Sequence, residues 1–153
     1  MNAQAIDDFR SFNRFYTAVI GLLDKHILNS SYTLAEVRIM YELYHGRNKT
    51  ASHLIQSLSI DKGYLSRVLQ QFEKAKLVKR QRSSEDTRVV RVSLTAEGRR
   101  VFQQLDKASS EQVSSILTEI PAKDLNVLLG CMAEIRRILS PKTTQTANDE
   151  TRG

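Results

Sequence analysis

The stretch that decides the fold is Asp61-Lys62-Gly63-Tyr64-Leu65-Ser66-Arg67-Val68-Leu69-Gln70-Gln71-Phe72. Asp61 is a residue type that caps helix N-termini, so a helix is predicted from this point to about Lys76. Apolar residues recur in it at helical spacing and form one buried face: Leu65, Val68, Leu69 and Phe72. The opposite face carries small, hydrogen-bonding and cationic side chains, which makes it a candidate binding surface.

Two shorter helices are predicted immediately before this one. Thr33 and Glu36 have the spacing of a capping box, and the helix they begin ends at His45-Gly46. Thr50 can cap the second, which runs through Leu58. Three short helices with tight connections predict a helix-turn-helix arrangement.

A β-hairpin is predicted directly after these helices. Residues 78–82 and 89–94 are the flanking strands, and the polar residues 83–88 form the turn. A hairpin in this position is a wing. The predicted fold class is therefore mainly α with a small two-stranded β wing, a winged helix-turn-helix.

The positive charge of the chain is concentrated in the same region. Residues 61–92 carry nine cationic and four acidic side chains, a net charge of +5, whereas the whole chain carries +6. An acidic partner is expected, and double-stranded DNA is the first candidate. A solvated basic face without a ligand is the alternative.

The candidate DNA-contacting residues lie on the polar face of the capped helix and in the hairpin. Arg67 can bind O6 and N7 of guanine, and Gln70 can read adenine. Arg88 can enter the minor groove, while Asp86 is expected to pair with an arginine and hold the loop. An ordinary amphipathic helix and a solvated turn are the alternatives. The candidate residues are Lys62, Gly63, Tyr64, Ser66, Arg67, Gln70, Lys74, Arg82, Ser84, Asp86 and Arg88.

These segments resemble the MarR family of bacterial regulators. The resemblance is carried by residues 61–67, Leu77-Val78-Lys79-Arg80, Glu85-Asp86-Thr87-Arg88 and residues 92–98, and it spans about residues 5–139. It implies a two-fold homodimer that binds near-palindromic operators, commonly as a repressor released by a small molecule.

A finer similarity, in residues 10–16 and 63–67, is to the MarR portion of regulators fused to a GNAT acetyltransferase. The alternative function is therefore a MarR-like half of a regulator whose acetyltransferase domain is absent from this chain. A winged helix that binds another protein instead of DNA is a second alternative.

Long apolar helices flank the winged segment. The first is predicted from about Ile6 to Leu28, with an apolar stripe wider than one packing face requires. Two more follow Thr95 and Pro121. The predicted organisation is a single domain. This domain spans residues 5–139 and consists of dimerisation helices at 5–29 and 100–139 and a DNA-binding lobe at 33–95. A disordered tail is expected at 140–153.

Aromatic residues offer a candidate effector pocket between the dimer helices and the DNA-binding lobe. The lining residues would be Phe12, Tyr16, Tyr41 and Tyr44, with Arg14 holding the carboxylate of a small aromatic acid. Hydrophobic packing between subunits is the alternative.

Other chemistry finds little support in the sequence. Cys131 is the only cysteine, so no internal disulfide forms and a cytoplasmic location is expected; its thiol is expected to pack in the core or an interface. The three histidines have no ligand-spaced partners, and no nucleophile motif or phosphate-binding glycine loop occurs. The expectation is a regulator that is not an enzyme and has no metal or cofactor.

Overall fold

The computed structural model describes residues 2–21, 30–46, 49–84, 86 and 88–140. In these ranges the elements are α1 (Ala3–Val19), α2 (Leu34–His45), β1 (Lys49–Thr50), α3 (Ala51–Leu58), α4 (Lys62–Lys74), β2 (Val78–Arg82), β3 (Val90–Leu94), α5 (Ala96–Thr118) and α6 (Ala122–Leu139). The chain divides into two compact units, Met1–Val113 and Ser114–Gly153. None of the helices in the described ranges combines the length and apolar character that a membrane crossing requires.

Side-chain caps begin the helices of the helix-turn-helix where the sequence predicts them. At α2 the Thr33 hydroxyl accepts from the amide of Glu36, and the Glu36 carboxylate accepts from the amide of Thr33 at 2.7 Å. At α3 Thr50 and His53 form the same reciprocal pair, with the imidazole in place of a carboxylate. Asp61 caps α4 by accepting the amide three residues further on. The predicted starts of all three helices are confirmed.

The hydrophobic core lies among α2, α3, α4, the sheet and the first turns of α5. All four residues that the sequence assigns to the buried face of α4 are at most 3% exposed. The buried apolar side chains are Ile39, Met40, Leu43, Leu54, Leu65, Val68, Leu69, Phe72, Leu77, Val78, Val92, Leu94, Phe102 and Leu105. This core fixes which face of α4 remains outside.

The sheet has three antiparallel strands in the order β1-β3-β2. The hairpin of β2 and β3 is confirmed, with a register from Val78 opposite Leu94 to Arg82 opposite Val90. A third strand, which the sequence did not predict, extends this two-stranded wing, because β1 pairs with β3 at Lys49 opposite Val92. A two-residue strand is too short to show the alternation by which strands are recognised in a sequence.

The first helix is shorter than predicted. It ends at Val19, and Gly21 adopts a left-handed conformation (φ 67°), which is how glycine commonly terminates helices. The predicted continuation of the helix through Gly21 is therefore wrong. Residues 22–29, the rest of that predicted helix, lie outside the described residues, and so do residues 141–153 of the predicted tail.

The start of α5 is fastened to the turn between α4 and β2. The Thr95 hydroxyl donates to the Lys76 carbonyl oxygen at 2.6 Å and accepts from the Gly98 amide at 3.0 Å. The Thr95 amide donates to the Leu77 carbonyl oxygen at 2.9 Å. Thr95 thus caps α5 as predicted, and it also joins the two ends of the segment that contains the hairpin.

Candidate nucleic-acid interface

The outer face of α4 presents the side chains that the sequence assigns to it. With the apolar face buried, the exposed residues of this helix include Lys62, Gly63, Ser66, Arg67, Gln70 and Lys74. Tyr64 is half-buried and packs against the core. The helix begins with a capped N-terminus and ends with Lys74 in its last turn. Its exposed surface is therefore polar and cationic along its whole length.

Gly63 lies on the exposed face of α4, one turn before Arg67. A Cβ at position 63 would lie 3.9 Å from Nη1 of Arg67 and 3.1 Å from the capping oxygen of Asp61. A Cβ would therefore crowd the cap, whereas its contact with the guanidinium would be an ordinary van der Waals contact. The absence of a side chain also lets a ligand approach the helix backbone at its first turn.

Arg88 and Asp86 pair at the tip of the wing. Oδ1 of Asp86 accepts from the backbone amide of Arg88 at 2.9 Å and from its Nε at 3.2 Å, as the sequence predicts for this aspartate. The backbone hydrogen bond, followed by the side-chain one, holds the pKa of Asp86 below its usual value. The Arg88 side chain is nevertheless 91% exposed, so the guanidinium is oriented but accessible.

The base of the wing tip is closed by backbone hydrogen bonds. The Ser83 amide donates to the Val89 carbonyl oxygen, and the Val89 amide donates to that of Asp86, both at 2.9 Å. The candidate residues Arg82 and Ser84 are exposed on either side of the buried Ser83. Glu85 and Thr87, which complete the wing-tip motif in the sequence, lie outside the described residues.

Two ion pairs near these elements are not predicted by the sequence. Nε of Arg80 in β2 lies 3.1 Å from a carboxylate oxygen of Glu73 in α4. Nζ of Lys49 in β1 lies 3.2 Å from a carboxylate oxygen of Glu42 in α2. Both pairs join different elements at a sequence separation of seven, so no helical or strand spacing predicts them. The predicted position of Thr50 as a helix cap is the nearest signal, since it places Lys49 directly before α3.

The candidate effector residues fall into two groups. Phe12 and Tyr16 stack on α1 with ring centroids 5.7 Å apart, and the neighbouring Arg14 is exposed. The rings of Tyr41 and Tyr44 instead contact Phe102 of α5, at 6.1 and 4.6 Å. Among the described residues, no ring contact joins the first group to the second.

Cys131 is exposed in α6, so the expectation of a core position is wrong and only the interface alternative stays open. His53 acts as a helix cap, whereas His26 lies outside the described residues. In the described ranges no three His, Cys, Asp or Glu side chains are placed to bind a metal ion together.

The fold and this surface define a winged helix-turn-helix protein. A family model for the transcriptional regulators SarA/Rot matches residues 23–105, more than half of the chain. The chain belongs to this family, and it is a DNA-binding transcriptional regulator of the MarR type.

Two relatives support the assignment. The HTH-type transcriptional regulator MgrA of Staphylococcus aureus is 29% identical over 122 residues, which cover 79% of each chain. The uncharacterized HTH-type transcriptional regulator YdgJ of Bacillus subtilis is 28% identical over 102 residues. This match covers 67% of the present chain but only 62% of YdgJ, less than two thirds of that relative's length. Both relatives are transcriptional regulators rather than enzymes.

Solved structures share the fold. A MarR family protein from Bacillus stearothermophilus has a TM-score of 0.76 at 18% identity, covering 90% of this chain and 97% of that one. FabT of Streptococcus pneumoniae, crystallised in complex with DNA, has a TM-score of 0.73 at 18% identity with the same coverage. At these identities the similarity concerns the fold alone.

Proposed function

We propose that the chain is a sequence-specific repressor that binds a near-palindromic operator as a homodimer. The observation that carries the proposal is the exposed polar face of α4, backed by the core and followed by the accessible Arg88. In this arrangement α4 enters the major groove, where Arg67 and Gln70 contact base edges. Arg88 reaches the adjacent minor groove.

The dimer is proposed because α1 and α6 bury no side chain within the chain. Each carries a row of apolar residues that water would otherwise contact, and such a surface is typical of an interface. The exposed apolar residues are Ile6, Phe9, Phe12, Phe15 and Val19 in α1 and Val127, Leu129, Ile135, Ile138 and Leu139 in α6. A two-fold dimer would place two copies of α4 about 34 Å apart, one turn of DNA.

The test of this function is binding-site selection from random DNA, followed by affinity measurements on variants. Arg67→Ala and Arg88→Ala are each expected to weaken binding by about 1–3 kcal/mol with an unchanged unfolding temperature. Arg67→Ala should also relax the base preference at one position in each half-site. The control is Arg100→Ala, which removes an arginine paired with Glu97 at the start of α5. A loss of equal size in all three variants would contradict the proposed placement of α4 and the wing.

The proposed location of the protein is the cytoplasm. The regulatory part of the proposal is that a small aromatic acid releases the protein from its operator. Tyr41 is half exposed beside Phe102, and Arg14 is an exposed cation on α1. A ligand shifts the DNA-binding equilibrium only if it prefers one conformation of the dimer. Millimolar salicylate is therefore expected to weaken operator binding by the parent and much less by Arg14→Ala.

In transcription reactions the parent should lower output from a promoter that overlaps the selected site; higher output would contradict repression.

A further inference from the structure

An open depression of about 360 Å³ is lined by four polar side chains, those of Lys49, His53, Gln56 and Ser57. Lys49 belongs to β1, and the other three belong to α3. Each of the four can donate a hydrogen bond, and no carboxylate is among them. This lining is suited to an oxyanion rather than to an apolar or cationic group.

One ring nitrogen of His53 accepts a hydrogen bond within the cap of α3, which leaves the other as a donor. Its Nδ1 accepts the Thr50 amide at 3.4 Å in the cap of α3. A neutral imidazole that accepts through Nδ1 carries its proton on Nε2, so the other ring nitrogen is a donor. The cap that begins α3 therefore also fixes the tautomer of a residue that lines the depression.

Lys49 supplies the positive charge, but part of that charge is neutralised by Glu42. Nζ lies 3.2 Å from the Glu42 carboxylate, and the two side chains are 27% and 25% exposed. An ammonium group has three donors, so one bond to Glu42 leaves donors for a second anion. The carboxylate nonetheless repels such an anion. Glu42 thus opposes whatever anion Lys49 attracts.

The position of the depression indicates the source of the anion. It lies on α3, the helix that directly precedes α4, and Lys49 pairs with Val92 of the wing strand β3. When the second helix of a helix-turn-helix lies in the major groove, the first helix crosses the sugar-phosphate backbone. A phosphodiester is therefore the oxyanion that reaches this surface.

We propose that the depression binds a backbone phosphate beside the groove that α4 enters, and that Glu42 weakens this contact by pairing with Lys49. The inference rests on the proposed function. Because a phosphate contact carries no base information, it strengthens binding to every sequence equally. The site therefore sets the general affinity for DNA, whereas Arg67 and Gln70 set the choice of sequence.

The first arm of the test removes the cation. Lys49→Gln is expected to reduce affinity about tenfold at low salt and to lower the salt slope of log Kd by about 1 per subunit. The loss should be the same on a duplex with the selected site and on one of unrelated sequence. Lys49→Arg should keep both values near those of the parent. The matched control is Lys107→Gln, which removes a lysine that also pairs with a glutamate, Glu111 in α5, and should change neither value.

The second arm removes the opposing carboxylate and predicts the opposite sign. Glu42→Gln is expected to strengthen binding to both duplexes by about two- to fivefold, the range of an exposed ion pair. Weaker or unchanged binding by Glu42→Gln, or equal effects of Lys49→Gln and Lys107→Gln, would overturn the site while the parent still binds. A parent that binds neither duplex would instead overturn the proposed function. Thermal unfolding of each variant separates lost contacts from lost folding.

Discussion

Helix α4 and the pair α1 and α6 have similar apolar spacing but opposite burial. Four side chains of α4 are at most 3% exposed, whereas α1 and α6 bury none, and Phe15 and Val127 are each 65% exposed. The apolar periodicity shows that a helix packs on something, but not on what. In α4 the partner surface belongs to the same chain, and in α1 and α6 the proposed partner is a second copy.

The same contrast between a buried and an exposed surface is tested most strongly by adding one methyl group to the buried start of α5 and one to α6. A Cβ on Gly98 would overlap the backbone carbonyl of Leu77, whereas a Cβ on Gly130 of α6 has nothing within 4 Å. Gly98→Ala is expected to destabilise the protein by about 3 kcal/mol, because backbone cannot move aside as a flexible side chain can. Gly130→Ala should stabilise it by about 0.5–1 kcal/mol through helix propensity.

Urea unfolding of the two alanine variants measures this contrast. If Gly98→Ala were as stable as the parent, α5 would not lie tightly against the turn before β2. A loss of stability in Gly130→Ala would show that a second chain approaches that part of α6 closely.

A charge placed on the exposed apolar rows should dissociate the proposed dimer. Phe15→Glu and Ile138→Glu, at positions 65% and 62% exposed in the chain, are each expected to weaken dimerisation about 100-fold. Neither should unfold the winged core, which consists of α2, α3, α4, the sheet and the first turns of α5. Sedimentation equilibrium over a range of concentrations gives the dimer constant. Retention of a tight dimer in both variants would place the interface elsewhere.

A smaller effect is expected from the wing tip. Asp86→Asn removes the charge that orients Arg88, and operator affinity should fall about two- to fivefold because the arginine must then be ordered on binding. Because the pKa of Asp86 is lowered, its carboxylate is ionised at every pH above the usual aspartate pKa of about 4, and its bonds to Arg88 are intact there. They are lost as the pH falls through the folded-state pKa. The ratio of parent to variant affinity should therefore be constant from pH 6 to 8, and a ratio that changes there would contradict this role.

The smallest effect concerns the link between α4 and β2. Glu73→Gln breaks an ion pair whose side chains are 35–38% exposed, so solvent screening limits the loss of unfolding free energy to about 0.5 kcal/mol or less. Arg137→Gln provides a comparison in α6, where the partner is Glu134. A loss above 1 kcal/mol for Glu73→Gln alone would make this pair a structural part of the winged core.

Features held by residues close together in the sequence were predictable, whereas features that depend on residues far apart were not. The caps at Thr33, Thr50, Asp61 and Thr95 are local, because side chain and amide lie within three residues, and all four were predictable. The faces of α4 were predictable for the same reason. Strand β1 and the ion pairs of Lys49 and Arg80 depend on elements brought together by the fold. The sequence also did not show that α1 ends at Val19, since a glycine within an apolar helical pattern does not always end a helix.

The bonds of Thr95 to the Lys76 and Leu77 carbonyls have a consequence for how the family can vary. They close the hairpin segment at its base, so the wing is a loop whose two ends are held together independently of its tip. The entropic cost of closing such a loop grows slowly with its length, by only about 0.6 kcal/mol for each doubling. Insertions or deletions at the tip are therefore inexpensive for the core. Variants can therefore lengthen, shorten or recharge the wing while α4, the helix proposed to enter the groove, stays unchanged.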